Sequence, residues 1–524
     1  MSVYSYHTFI LPFVWEGLPD SKLTMDEFSL IFKNNANWVC SDIKDELSFS
    51  SAADILSKSD ALTFYKEYQY FHPYVRKALY GYDENIVTNY TFMPGKVRNN
   101  SHYYIEKDGA KYDLLINGIK LKIFNTGIAL FILECENHGF DAYGNNQASF
   151  EAVKNINDFG RRITLPFIPN DPDGYMICAD KLTVKIDESL SFETDFRNFV
   201  REISTKNDVT DSITLTYMGD FIKNILGYGS DVRFTSKMGR KKDYCYIYPA
   251  IDDRMFVACC VCEKKESDKI TKLNGDTPAY ISDIKTSKSY YEFVFVDPAD
   301  RCSCNSPDMR KNLLNDHTYT RWIEFGTLYS IANQSITMLT NAPIEHLIES
   351  FLTQYVQMCC LTLVQKCSVV HFQREASALS SNLEKSGKTM NRKTITKLMN
   401  LQERFVAYQS QLNFSEVSPQ EQAIELYAML RKFMFVDEES DSFNERLSNL
   451  ENAADTNLDF TFNKIALIFA FVSCIIGFFD NFMNFHGDEG LVDNVLLQWL
   501  CSGFPIMAAT LVFVILFMFR RRKK

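Results

Sequence analysis

The stretch DFTFNKIALIFAFVSCIIGFFDNFMN, residues 459–484, decides the fold. From Phe460 to Phe479 only Thr461, Asn463, Lys464 and Ser473 interrupt the apolar side chains. At about 1.5 Å per helical residue this run reaches roughly 30 Å, one hydrocarbon core, and it is predicted to span a membrane. Steps of four and three along it meet Asp459, Asn463, Ala466, Ala470, Ser473, Gly477, Asp480 and Asn484, each small or polar. The positions between them carry bulky residues such as Leu467, Phe469, Phe471, Ile475 and Phe478. The pattern is a narrow small-and-polar stripe with a repeat of about 3.5 residues. A lipid-facing helix has no use for such a stripe. It suits either close helix packing, where Gly, Ala and Ser let backbones approach, or a pore wall made by several copies of the helix. Asp459 and Asn463 at one end and Asp480 and Asn484 at the other favour the pore, because packing alone does not require carboxylates.

Working outward, residues 494–519 form a second expected span, with Gln498 clearly polar and Pro505 a tolerated kink. It stops at Arg520, Arg521, Arg522, Lys523 and Lys524, a cytoplasmic marker. Both termini are therefore expected inside, and the 480–493 loop outside, where Asp488, Glu489 and Asp493 would form an outer acidic ring. Upstream, residues 436–459 read as a stalk helix entering the bilayer, after the acidic run Asp437, Glu438, Glu439 and Asp441. Residues 343–435 read as long antiparallel helices: 344–383, 389–412, and a third to about residue 434 with Ser418 as cap and Pro419 at its first position.

The rest of the 524 residues reads as an α/β body over 1–342. Charged residues make up 23% of the chain, so most of it is an ordinary soluble protein. The formal net charge of −11 argues against direct nucleic-acid binding, which draws its affinity from cationic surface. No basic segment precedes an apolar core at the N-terminus, so no signal peptide is expected. Fourteen irregularly spaced cysteines fit a reducing compartment.

Within the body, residues 4–14 read as a strand, followed by a short helix capped by Thr24 or Asp26. Residues 61–80 read as helix, broken at Pro73. The runs 112–116, 119–124 and 128–135 read as a meander, with a hairpin at Asn117-Gly118 and a second turn at 125–127. A helix over 147–159 follows, with Gly160 as its C-cap. Arg161 and Arg162 then either meet the helix's carbonyl end or bind an anion. Further strands are expected at 233–236, 244–248, 255–262, 290–296 and 319–325. The polar segment 264–288 reads as an exposed loop, and Arg240, Lys241 and Lys242 as a solvated turn or a phosphate-binding tip. Cys259, Cys262, Cys302 and Cys304 could be combined into a zinc site, but strand alternation splits the first pair between faces and favours buried small hydrophobes.

The ensemble of a cytosolic α+β domain, long antiparallel helices, a stalk, a two-helix transmembrane hairpin and a basic tail resembles the CorA family of magnesium channels. Met483 and Asn484, at the outer end of the first span, match the Met-Asn of that family's Gly-Met-Asn motif, with Phe482 in place of the Gly. The resemblance implies a homopentamer in the inner (plasma) membrane, in contact with lipid. It implies magnesium or another divalent cation as permeant or regulatory ion, no other cofactor, and Asn484 in an outer selectivity ring. Magnesium sensing would fall to carboxylates such as Asp437, Glu438, Glu439 and Asp441. Divergent CorA-like proteins also occur as membrane effectors of type III CRISPR defence, opened by a nucleotide second messenger. Here Arg161, Arg162, Arg240, Lys241 and Lys242 are the cations that could take its phosphates. No HExxH, phosphate-binding glycine loop, GxSxG or GxGxxG is present, so no enzyme is expected.

Overall fold

Strand β1 (Ser5–Glu16) is the spine of the sheet, with Phe9, Ile10, Leu11, Phe13 and Val14 fully buried. A strand apolar on both faces needs cover on both. One edge of β1 pairs antiparallel with β6 (Ile128–Asn137), from Ser5↔Asn137 to Val14↔Ile128. The other edge is shared: β11 (Phe256–Cys262) takes Ser5 to Ile10, and β10 (Tyr244–Pro249) takes Phe13 to Glu16. Pro12 stands at the changeover, where its carbonyl accepts from Ala250 N at 2.9 Å. Its missing N–H faces the same gap, so a proline is tolerated inside a central strand.

The computed structural model describes residues 3–16, 23–41, 59–81, 86–141, 143–164, 177–197, 218–235, 244–385 and 392–452, together with Leu467, Ala470 and Phe471. The chain divides into two compact units, residues 1–376 with 401–444, and residues 377–400 with 445–524. The first is a mixed α/β domain. Among the described residues its main sheet has 14 strands in the order β14 (Thr318–Tyr319), β15 (Leu328–Ala332), β16 (Ser335–Thr340), β11, β1, β6, β5 (Ala110–Phe124), β4 (His102–Lys107), β7 (Lys181–Lys185), β8 (Ser191–Asp195), with β9 (Arg233–Thr235) on β10, and β3 (Val87–Phe92) followed by β2 (Trp38–Cys40) on β5, as side branches. In the second unit, the described residues are helical.

Phe9, Leu11, Phe13 and Trp15 share one core with Phe150, Val153, Ile156 and Phe159 of helix α1 (Phe150–Arg161), which covers that face. The opposite face carries Ile10 and Val14; on the same side Pro12 lines a small cavity with Leu363 and Lys366 of helix α2 (Val356–Lys385), and Ser368 Oγ of that helix donates to Thr126 Oγ1 at 2.7 Å. A π-helical turn (Phe351–Tyr355) joins α2 to the preceding Glu345–Ser350 helix. Glu345–Ser380 is long and apolar enough to cross a membrane, with a mean hydropathy of 1.3 in its most apolar window, and 61% of that window is buried inside the protein. Its polar residues Gln365, Lys366 and Ser368 are buried and hydrogen-bonded to the domain, which is how a core helix is used.

The early strand, the Thr24-capped helix, the break at Pro73 and the helix beginning near residue 344 follow the sequence reading. Other elements differ. Asn117-Gly118 makes no hairpin; β5 (Ala110–Phe124) runs through it with a bulge between Ile116 and Gly118. Gly160 lies inside α1 rather than capping it, and the helix starts at Phe150 with Ser149 as cap. Residues 290–296 are not a strand but the end of an Ile284–Phe295 helix, and 319–325 reduce to a two-residue strand, Thr318–Tyr319, and a 3-10 turn, Ile323–Phe325. The supposed loop 264–288 is ordered as helix Lys264–Thr271, a small hairpin and the start of the next helices. The helix assigned to Ser418 and Pro419 begins at Glu421 with Gln420 as cap, and the acidic run lies within a helix spanning 436–452 rather than breaking the chain. The spans 460–479 and 494–519 lie outside the described residues, except that Leu467, Ala470 and Phe471 are helical.

Gly160 explains how closely α1 approaches β1. A Cβ there would meet Ile105 Cδ1 at 2.7 Å and Phe9 Cζ at 3.0 Å. Gly160→Ala is therefore expected to destabilise the domain by about 1–3 kcal/mol through overpacking. Gly95→Ala, with open space around its Cβ, should be neutral or slightly stabilising. Denaturant titration of both variants checks the opposite signs; equal effects would contradict the close α1–β1 contact.

Candidate functional site: a buried charge cluster and a cleft at the sheet edge

The C-terminal turn of α1 delivers Asp158, Arg161 and Arg162 to one spot. Asp158 Oδ1 accepts from Arg161 Nη2 and Arg162 Nη2, each at 3.2 Å. Arg161 is 3% exposed and also donates to the Val296 carbonyl at 2.8 Å and to Gln334 Oε1 at 3.3 Å. The loop before β11 brings Asp252, Asp253 and Arg254 against them. It is held by backbone bonds from Met255 N to the Arg161 carbonyl (2.8 Å) and from Ile163 N to the Asp253 carbonyl (3.1 Å). Asp252 accepts from Arg254 Nε at 3.0 Å, from Asp253 N at 2.7 Å and from Gln334 Nε2. Gln334, in the turn between β15 (Leu328–Ala332) and β16 (Ser335–Thr340), therefore ties Arg161 to Asp252.

Opposite charges removed from water must satisfy one another, and this cluster does so incompletely. Arg161 Nε, Arg162 Nε, Asp158 Oδ2 and Asp253 Oδ2 are buried with no hydrogen-bond partner among the described residues. Burial pushes Arg161 down to about 10, against the pull of Asp158. Burial, then the hydrogen bond and charge of Asp252, raises Asp253. Burial also works to raise Asp252, but its bonds to Asp253 and Arg254 outweigh that and hold it below the usual carboxylate range. Arg161 and Arg162, expected either to cap the helix or to bind an anion, are committed to internal ion pairing. Asp252, Asp253, Arg254 and Gln334 were missed; three consecutive charges just before an apolar strand were the available signal.

The cysteines separate as alternation requires. Cys260 and Cys262 lie 3.8 Å apart through their sulfurs, whereas Cys259 contacts His7 Nδ1 at 3.7 Å. Cys302 and Cys304 bond to backbone carbonyls elsewhere, and among the described residues no group of three or more His, Cys, Asp or Glu could hold a metal. Cys259, His7 and Asn157 superficially suggest a nucleophilic triad, with His7 Nδ1 donating to Asn157 Oδ1 at 2.7 Å. All three are fully buried, and burial pushes the Cys259 thiol up to about 12 and His7 down to about 4, so near neutral pH both are uncharged and no thiolate–imidazolium pair forms.

Of the acidic run, Asp437 pairs with Arg431 and Glu439 accepts from Gln373 Nε2 at 2.7 Å, while Glu438 and Asp441 are exposed; they do not converge. Ala470 is helical and exposed. Arg240, Lys241, Lys242, Asp459, Asn463, Ala466, Ser473, Gly477, Asp480, Met483, Asn484, Asp488, Glu489 and Asp493 lie outside the described residues.

A second feature went unread in the sequence. A cleft of about 370 Å3 opens between the Thr318–Tyr319 strand and helix α3 (Glu421–Phe433), lined by Tyr319, Arg321, Glu425, Lys432 and Phe433 among others. Arg321 bridges it, with Nη1 to Glu425 at 3.0 Å and Nη2 to Glu421 at 2.8 Å.

No protein-family model matches this chain, and no curated protein is similar to it.

The raised pKa of Asp253 fixes a sign. The folded state binds a proton that the unfolded state releases in the ordinary carboxylate range, so this residue's contribution to stability declines as pH rises from that range to the folded pKa. Asp253→Asn is expected to remove the decline and to gain stability relative to the parent as pH increases. Urea unfolding at several pH values from acid to mildly alkaline measures it; a parallel pH profile in both proteins would refute the assignment.

Proposed function

We propose that the chain is an oligomeric CorA-like membrane channel for cations, divalent and by resemblance magnesium, gated by its soluble α/β part. The observation that carries this reading is the stripe Asp459, Asn463, Ala466, Ala470, Ser473, Gly477, Asp480 and Asn484 on an otherwise bulky apolar segment. Two spans per chain cannot enclose a pore, so several copies are required, five by resemblance. Repeated around the axis, Asp480, Asp488, Glu489 and Asp493 would concentrate cations at the outer mouth.

A second reading rests on proportion. The α/β domain far exceeds what a constitutive pore needs, which favours control by a cytosolic ligand, and the effector resemblance makes that ligand a nucleotide messenger. A ligand opens a closed pore only through different affinity for the two states. The cleft between the sheet edge and α3 supports such control, because a ligand there would touch two elements that could separate.

Native mass measurement in detergent is expected to return an oligomer; a stable monomer would end the pore reading. In liposomes, replacing Asn484 or Gly477 should change flux or selectivity, whereas replacing Phe471 should change mainly stability. Equal effects on flux from both sets would favour simple packing. With magnesium held fixed, adding adenine-nucleotide messengers to the cytosolic face separates the two gating modes. Flux that ignores every nucleotide yet falls as internal magnesium rises would sink the effector reading and leave an ordinary transporter.

A further inference from the structure

Strand β11 ends in Cys259, Cys260, Val261 and Cys262, and its pairing fixes which face each side chain takes. Cys260 stands between Tyr6 of β1 and Met338 of β16, and Met338 in turn pairs with Tyr329 of β15, so these four residues form one row across four strands. Side chains two apart on a strand share a face. Cys262 therefore lies on the side of this row, and Cys259 on the other side, against His7. The Cys260 and Cys262 sulfurs are 3.8 Å apart. Cys260 and Met338 are fully buried, whereas Cys262, the last residue of the strand, is half-buried. Burial pushes the Cys260 thiol up, and the bond between the two sulfurs lowers Cys262.

Two thiols this close serve either a disulfide or a soft metal ion, and the strand decides between them. Residues two apart in an extended strand have Cα atoms about 6.7 Å apart, at the outer limit for a disulfide, and their side chains stand side by side rather than converging. Closing the bond would buckle β11, which is hydrogen-bonded to β1 along one edge and to β16 along the other. A metal ion requires no such movement. With metal–thiolate bonds of about 2.3 Å, sulfurs 3.8 Å apart meet one ion at an angle of about 110°, which leaves room for a third ligand. Met338, one strand spacing of about 4.8 Å from Cys260, offers a thioether on three rotatable bonds. Zinc asks for four ligands of the thiolate, imidazole or carboxylate kind. The carboxylate nearest in the row, Glu136 opposite Tyr6, is taken up by Asn117 Nδ2 at 2.7 Å and His138 Nε2 at 3.0 Å. Two thiolates and a thioether instead select copper(I).

We infer that Cys260 and Cys262, with Met338 as third ligand, form a site for a soft monovalent metal ion, copper(I) where the surroundings are reducing. Binding exchanges two S–H protons for the metal: each sulfur keeps its electron pair and shares it with the ion, both protons leave to solvent, and nothing is oxidised or reduced. The ion enters past Cys262, whose thiolate forms more readily, and the buried Cys260 follows. Two thiolates and one copper(I) carry one net negative charge, with Cys262 in reach of solvent. Beside them is the Tyr6 hydroxyl, which burial and then the neighbouring Glu136, Cys262 and Cys260 push up to about 12, so it keeps its proton. The site needs only the folded sheet and is independent of the channel reading.

The test uses the full-length protein in detergent, kept anaerobic with ascorbate, and copper(I) supplied on a coloured chelator. The parent is expected to withdraw one equivalent more than Cys262→Ser. Cys302→Ser, whose thiol bonds to the Cys304 carbonyl elsewhere, should keep that equivalent. Met338→Leu should bind it less tightly, giving it up at a lower chelator concentration. Equal stoichiometry in the parent and Cys262→Ser would place the metal elsewhere and overturn the assignment. Should a variant fail to fold, the parent decides: X-ray absorption at the copper edge should show sulfur ligands alone, at about 2.3 Å. Nitrogen or oxygen ligands, or no bound copper, would overturn the site. A Cys260–Cys262 disulfide formed readily with glutathione disulfide, read by peptide mass, would make the pair a redox couple and refute the argument from strand geometry.

Discussion

A strand buried on both faces has to be covered twice, and the α/β domain is built around meeting that demand for β1. Residues of one parity point into the core shared with α1 and those of the other toward α2, so two helices distant in sequence are fixed by one short stretch. Closeness is part of the solution. With glycine at position 160, α1 lies directly on Phe9 and Ile105, and Tyr103 OH reaches the Gly160 carbonyl at 2.7 Å. The helix end that follows must then sit low against the sheet. This is why Asp158 and Arg161 are buried and Arg162 half-buried instead of projecting into water.

Once charges are forced inside, the surrounding loops have to answer them. Gln334 does so from the β15–β16 turn, Asp252 and Arg254 from the loop before β11, and the Val296 carbonyl from the helix behind. Breaking one partner of such a set costs more than the bond itself, because a charge is left unpaired in a poor solvent. The same turn that serves Arg161 through Gln334 serves Lys366 through the adjacent Asn333. Both helices covering β1 are thus pinned to one two-residue corner, from opposite faces of the sheet.

The legible parts of the fold were those with a long, unmixed pattern. β1 has an apolar run on both faces, and the helix from about residue 344 repeats its period for some forty residues. Short apolar runs carried no such information. Tyr290 to Phe295 is rich in β-formers yet helical, and the deciding signal lay upstream, where Asp283 caps the helix through Thr286 N at 2.8 Å. Asn117-Gly118 misled for a different reason: the pair sits at a bulge inside one long strand, where the register shifts between Ile116 and Gly118, and not at a chain reversal. The charge cluster joins residues 158, 252 and 334 across three connections, and no local pattern encodes that meeting. Arg161 and Arg162 stood out in the sequence as cations, but their partners were settled by the fold.

The proposed gating would need an element with two arrangements of similar free energy; the one arrangement seen in the structure shows what fastens α2. Within the first unit it is held by directional polar bonds as well as by apolar contact: Gln365 to the Leu412 carbonyl and Tyr427, Lys366 to Asn333, Ser368 to Thr126, and Gln373 to Glu439. Each such bond is worth about 0.5–1.5 kcal/mol net, so the set amounts to a few kcal/mol. Moving a two-state equilibrium from 1:99 to 99:1 takes about 5.5 kcal/mol. Only the set as a whole reaches that scale, so a ligand would have to replace most of these bonds to shift the equilibrium so far. Apolar packing alone offers less discrimination between registers, because it tolerates sliding between neighbouring apolar rows. Polar bonds at fixed positions along α2 are satisfied in one register and broken in the next, so they fix the register of this helix on the sheet.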